Sequence, residues 1–194
     1  LIEFILGAFL YAKYKKKYNL KSIFNSWQIY LPLFFALLYV YLEINIWMEN
    51  YWFLEYQQAF KTATLLSYVP LCIKYKLFEN NNIKYKNNEL LKMLSSPMMK
   101  ASLCLFVGSM LNRIAIWSNN GYMMSFPSNT YWTGYIKPEA YYDGLHIIGN
   151  AYTALIPLCN TIDIYFSILS PGDILCRFYV FIILYYSIKK SNKI

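Results

Sequence analysis

The chain has one histidine, two arginines and ten acidic residues among 194. A lone His has neither a ligand set nor a nucleophile beside it in sequence, which leaves no pattern for a metal centre or a His-based catalytic pair. The four cysteines, Cys72, Cys104, Cys159 and Cys176, form no CxxC pair. Three of them lie in apolar segments and are read as small buried hydrophobes. Charged residues are only 14% of the chain, against about 25% in a soluble domain. Gly and Pro number seven each, and most fall in one stretch, Asn112 to Asp173.

What is abundant is apolar. Hydrophobic residues make up 58%, and Phe, Tyr, Ile and Leu run together in segments that suit a membrane. The mean hydropathy is only +0.28, because Asn and Lys cluster between the runs and Tyr scores as polar. The net charge of +8 invites a nucleic-acid reading. The placement of the bases argues against one: sixteen of the eighteen are Lys, in short clusters beside apolar runs, the arrangement that orients membrane proteins.

The runs predict an all-α integral membrane protein with about five transmembrane helices, forming a single membrane domain over 1–194. The expected spans are 1–12, 28–48, 59–78, 93–117 and 173–188, with a large structured outer loop over 118–172. Trp27 and Trp47 bracket the second span as an aromatic belt would. Pro70 is expected to kink the third. In the fourth, Ala101, Ser102, Gly108 and Ser109 are small enough for close helix packing.

With five spans, thirteen Lys fall on one side: Lys13 to Lys21, Lys74 to Lys92, and Lys189 to Lys193. The opposite loops hold only Lys137. An excess of Lys in short loops marks the cytoplasmic or matrix side. The N-terminus and the large loop are therefore expected outside, the C-terminus inside.

A loop of more than fifty residues without its own structure is unusual. Asn119, Asn120 and Gly121 tolerate positive φ, and Pro127 fixes it, so a turn is expected there. The apolar stretch 145–158, with Gly149 and Pro157, predicts a short surface helix or a re-entrant segment. Tyr131, Trp132, Tyr135, Tyr141 and Tyr142 suit a headgroup layer.

Three short motifs lie in order along this region. They are Asn119-Asn120-Gly121-Tyr122-Met123-Met124, Thr153-Ala154-Leu155-Ile156-Pro157-Leu158-Cys159-Asn160 and Ser170-Pro171-Gly172-Asp173. The set resembles a bacterial family of uncharacterised multi-pass membrane proteins with the signature NGGxMP, TxLPxLxD, SxGD. Asn120 stands for Gly, Met124 and Ile156 for Pro, and Asn160 for Asp. The resemblance is good over roughly 112–188 and extends to hydropathy elsewhere. It implies a fold and a topology, not an activity. A comparison with lipoprotein signal peptidase fails on residues. An aspartyl dyad needs two close carboxylates, and the first catalytic Asp is missing beside Asn112 and Arg113, leaving Asp173 with Asp163 as a poor substitute.

No catalytic, cofactor-binding or metal site is expected, and the chain is not read as an enzyme. The structural polar candidates are Arg113, Asp163, Asp173 and Arg177. Asp173 suits a helix N-terminus and is expected to pair with Arg177 four residues on. Arg113 is expected to pair with Asp163 or Asp173. Residues of A/T-rich codons (Lys, Asn, Ile, Tyr, Phe) dominate, and the first residue is Leu. A Leu start fits a fragment, a processed chain or an organelle genome. The expectation is an organelle-encoded protist mitochondrial protein: an accessory subunit of an inner-membrane respiratory-chain complex. It would lie with its N-terminus in the intermembrane space and its C-terminus in the matrix. Other membrane subunits and lipids are its expected partners. Lys61, Lys100 and Arg177 are costly in hydrocarbon without neighbouring helices. The alternative is a stand-alone multi-pass protein, transporter-like or a membrane enzyme.

Overall fold

The computed structural model describes residues 1–48, 50, 52, 56–79, 89–127, 146–164 and 168–193. The aromatic set from Tyr131 to Tyr142, together with Lys84, Lys86 and Lys137, lies outside the described residues.

Most of the described chain is helical. The helices are α1 (Ile2–Leu10), α2 (Lys21–Phe24), α3 (Tyr30–Trp47), α4 (Gln57–Leu66), α5 (Val69–Lys74), α6 (Glu89–Leu94), α7 (Pro97–Ser118) and α8 (Pro171–Ser191). Two of them, α7 and α8, are long and apolar enough to cross a membrane. The expected third span is not one helix. It breaks at Ser67 and Tyr68, and Pro70 falls in the first turn of α5, where its missing N–H costs nothing.

The expected fourth span also starts later than 93. Ser95 and Ser96 separate α6 from α7, and Pro97 opens α7. Ser96 Oγ accepts the Met99 N–H at 3.1 Å, which makes it an N-cap ahead of a proline at the first helical position.

Contacts divide the chain into two compact units. The first comprises 1–38, 61–105 and 177–194; the second comprises 39–60 and 106–176.

The first unit is built on α8. Its residues Phe178, Phe181 and Tyr185 share a face, being three and four apart. Phe4 meets Phe178 edge-on at 5.2 Å and Tyr11 meets Tyr185 at 5.4 Å. Between those contacts Phe181 lies against Gly7. The core adds Ile23, Ile29, Tyr68, Leu71 and Cys72, all buried, to Val180, Ile183 and Leu184 of α8. Three Lys-bearing segments meet at one pole of this unit. Asn19 N–H donates to Asn192 Oδ1 at 2.7 Å, and Asn192 Nδ2 donates back to Asn19 O at 3.0 Å. Lys190 Nζ donates to Lys76 O at 2.7 Å.

The second unit holds the described part of the large loop, 118–172. Here the expected short surface helix is corrected, within a chain that is mostly helical. Residues 146–158 form no α-helix: they make a strand, a turn and a single 3-10 turn at Ile156–Leu158. Strand β1 (Met123–Ser125) pairs in parallel with β2 (His146–Ile148), with Met123 opposite His146. Its other edge is bridged by Asn160 through Ser125. Strands β3 (Ile162–Asp163) and β4 (Ile168–Leu169) form a short antiparallel pair. Such strands satisfy backbone groups in a loop too irregular to be helical.

Two helices leave apolar faces open. On α3 and the turn after it, Tyr30, Phe34, Leu37, Tyr41, Ile44 and Met48 are exposed, spaced alternately by four and three. On α7, Leu103, Phe106, Val107, Met110, Ile114 and Trp117 are exposed. Only 17% of the apolar window of α7 is buried, whereas a core helix of a soluble protein buries its apolar stripe.

Candidate functional site

The second unit carries a closed polar ring at the head of α8. Ser170 precedes the helix, Pro171 occupies its first position, and Asp173 its third. Ser170 Oγ accepts the Asp173 N–H at 2.9 Å, and Asp173 Oδ2 accepts the Ser170 N–H at 3.0 Å. This reciprocal capping box satisfies two backbone donors at once. Asn112 on α7 completes the ring: its Nδ2 donates to Asp173 Oδ1 at 2.9 Å, and its Oδ1 accepts from Ser170 Oγ–H at 2.8 Å.

Glycine makes the ring possible. A Cβ on Gly172 would lie 1.9 Å from Asn112 Oδ1 and 2.6 Å from Gly108 O; one on Gly108 would lie 2.5 Å from Gly172 O and 2.8 Å from Cys176 Sγ. The backbones therefore touch at paired glycines, as small-residue crossings allow. Ser109 and Cys176 flank the crossing, with Oγ and Sγ 3.8 Å apart. The sequence expectation of close packing at Gly108 and Ser109 corresponds to this crossing.

A second anchor closes α7. Asn120 adopts φ +55° and Gly121 φ +91°, and Gly121 N–H donates to Ile116 O at 3.0 Å, a left-handed helix stop. Buried Asn119 turns inward. Its Nδ2 donates to Ala115 O at 2.8 Å and Ala154 O at 2.9 Å, and its Oδ1 accepts the Ala154 N–H at 2.8 Å. One side chain thus ties the end of α7 to the Thr153–Asn160 motif. Cys159 is fully buried beneath it, and burial pushes its thiol up from the usual value.

Asn160, where the resembled signature has Asp, is buried. Its Nδ2 donates to Ser125 Oγ at 3.2 Å, while its Oδ1 has no partner among the described residues. A carboxylate there would be charged and buried, so the amide is the cheaper group.

The four polar candidates take different places. Asp173 is fully engaged by Asn112 and Ser170. Arg177 does not pair with Asp173; its guanidinium bonds Glu3 within the first unit. Arg113 is exposed, and no ion pair among the described residues joins it to Asp163 or Asp173. Asp163 is half-buried in β3. Asn112, Ser170, Asn119 and Glu3 were missed from sequence. The S-x-x-D pattern before an apolar run was the available signal for Ser170. Partners 61 residues apart, such as Asn112 and Asp173, leave none. Among the described residues no three of His, Cys, Asp and Glu gather where they could hold a metal ion.

The fold and site define a mostly helical protein with two candidate membrane-spanning helices and a loop clamped by side-chain amides. A family of unknown function, DUF5317, matches residues 20–185, and the chain belongs to that family. No curated protein and no solved structure matches it.

Proposed function

We propose that this chain is a five-span integral membrane protein that acts as a non-catalytic scaffold, presenting its outer loop as a docking surface. The observation that carries the reading is the open apolar face of α7, a helix of 22 residues. Twenty residues of helix span the ~30 Å hydrocarbon core, and exposed apolar faces of this extent mark lipid or protein contact. The meeting of Lys-bearing segments at one pole of the first unit supports a topology with that pole inside and the N-terminus outside. The ring at Asp173 and the clamp at Asn119 use their polar groups on each other, which suits a scaffold.

The assembly we propose is a respiratory-chain complex of the mitochondrial inner membrane, which the A/T-codon residue usage supports. Blue-native electrophoresis of gently solubilised membranes tests it: co-migration with a respiratory complex is expected. A second reading, a stand-alone membrane protein, is favoured by the Arg177–Glu3 pair. That pair removes one charge that would otherwise ask for a neighbouring helix. Migration as a free monomer, away from every respiratory complex, selects this second reading. Release of the chain from membranes by alkaline carbonate would overturn both. We also propose that the three-motif signature describes one scaffold, in which each motif closes an end of α7 or α8.

A further inference from the structure

The pole where the Lys-bearing segments meet contains a cavity of about 410 Å³. Ser22, Asn25, Ser26, Gln28, Lys74 and Ser191 supply its polar wall, with Trp27 and Tyr75 as its aromatic edge. Among the described residues, no acidic side chain lines it. We propose that this cavity binds the phosphodiester of an anionic phospholipid headgroup. The proposal rests on the membrane reading above for its source of ligand, but the cavity's chemistry stands apart from that reading.

Ser26 Oγ–H is turned onto Gln28 Oε1, so the Gln28 amide presents its N–H groups. Among the described residues, nothing in the chain accepts from Lys74 Nζ, Asn25 Nδ2 or Gln28 Nε2. Ser22 and Ser191 are held by each other, with 2.8 Å between their Oγ atoms, and by Asn192, whose Nδ2 donates to Ser22 Oγ at 3.0 Å. They form a fixed wall, while the ammonium and two amides remain to meet an anion. A phosphodiester carries one negative charge and accepts from several donors, which matches one Lys beside neutral N–H groups. The volume is of small-ligand size.

The place fits a lipid. Trp27 is 66% exposed at the cavity rim, in the 3-10 turn Trp27–Ile29 that leads into α3, and indoles favour the headgroup layer. Lys21, Lys76, Lys189 and Lys193 surround the site in sequence and add a field that attracts anionic lipid. Lys190 does not contribute a free ammonium, because its Nζ is already given to Lys76 O.

The test uses the full chain, purified and delipidated in a non-ionic detergent and followed by native mass spectrometry. The probes are short-chain phosphatidylglycerol, short-chain phosphatidylcholine and inorganic phosphate. Phosphatidylglycerol is expected to bind at one site and to outcompete phosphatidylcholine. Lys74→Gln is expected to weaken it about tenfold, the scale of one charge-assisted hydrogen bond, while Lys74→Arg retains it and Lys100→Gln leaves it unchanged. Lys74 is exposed, so these variants fold. Equal binding of the two lipids, or indifference to Lys74→Gln, overturns the proposal. Inorganic phosphate competing as well as the lipid overturns the lipid as the source. A chain that washes off membranes yet binds phosphatidylglycerol through Lys74 defeats the membrane reading alone.

Discussion

Asn112 Nδ2 and Asp173 Oδ1 lie 2.9 Å apart across 61 residues of sequence, and the bond pins the head of α8 to α7. The same amide accepts from Ser170, so Asn112 serves both residues of the cap. Asn112→Ala is expected to destabilise by about 1–3 kcal/mol, because it leaves the Ser170 hydroxyl and one carboxylate oxygen short of a partner. Ser170→Ala removes the cap as well and should cost about 1 kcal/mol or more. The two losses should not add, because both break the same ring. Thermal unfolding in detergent of the single and double variants checks this; strict additivity would dissolve the ring into independent bonds.

The glycines allow a graded test. Alanine at Gly172 or Gly108 would strike backbone or half-buried side-chain atoms at 1.9–2.9 Å. Each is expected to cost about 1–3 kcal/mol, and Gly172 the more, since its clash falls on Asn112 itself. Gly121→Ala meets open space but requires φ +91°, so its smaller cost is backbone strain. Gly7 has its nearest neighbours at 3.9 Å and sits within α1. Gly7→Ala is expected to be neutral or to stabilise by up to about 1 kcal/mol. Melting temperatures should rank Gly172, Gly108, Gly121 and Gly7 in that order of loss.

These positions also mark how much the sequence disclosed. The helical framework was legible, because apolar runs of twenty residues carry their own signal. The turn at Asn120 and Gly121 was legible from residue type. The breaks before α5 and α7 are partly so: Pro70 signals an interruption of the third apolar run, and Ser96-Pro97 is a helix-start signal. The strands were not legible. At two or three residues they are shorter than any period-2 pattern, and β1 and β2 pair across 23 residues of separation. The pairing of Arg177 with Glu3 was hidden for the same reason. Local rules offered Asp173 as the partner four residues away, and that carboxylate was already held by its own cap.

The ion pair of Arg177 and Glu3 gives a further prediction. The two side chains are 15% and 28% exposed, so neither charge is well hydrated. Glu3→Gln alone leaves the Arg177 charge behind, at a cost of about 2 kcal/mol. That is below the ~3–5 kcal/mol of fully buried pairs, in view of the remaining exposure. Glu3→Gln combined with Arg177→Leu should cost less than the sum of the two single changes, because both break the same pair. Unfolding of the single and double variants, compared as a cycle, decides it.

Cys159 carries a pH signature. Its thiol is buried beneath Asn119, with Sγ 3.5 Å from Leu155 O and 3.8 Å from Asn119 Nδ2, and burial raises its titration. The folded chain therefore keeps the proton to a higher pH than the unfolded chain, which loses it near the ordinary thiol value of about 8.5. Above that value the unfolded state binds fewer protons than the folded one, so the Cys159 contribution to stability falls as pH rises. Other groups titrate in the same range, and the comparison with Cys159→Ala isolates this one. The stability gap between wild type and Cys159→Ala should be widest near pH 7 and shrink by pH 10. Cys104 and Cys176, both half-buried, should react with a small alkylating agent before Cys72 and Cys159. Early labelling of Cys159 in the folded chain, or a gap that does not change with pH, would place its thiol in contact with water and leave the Asn119 clamp without its buried floor.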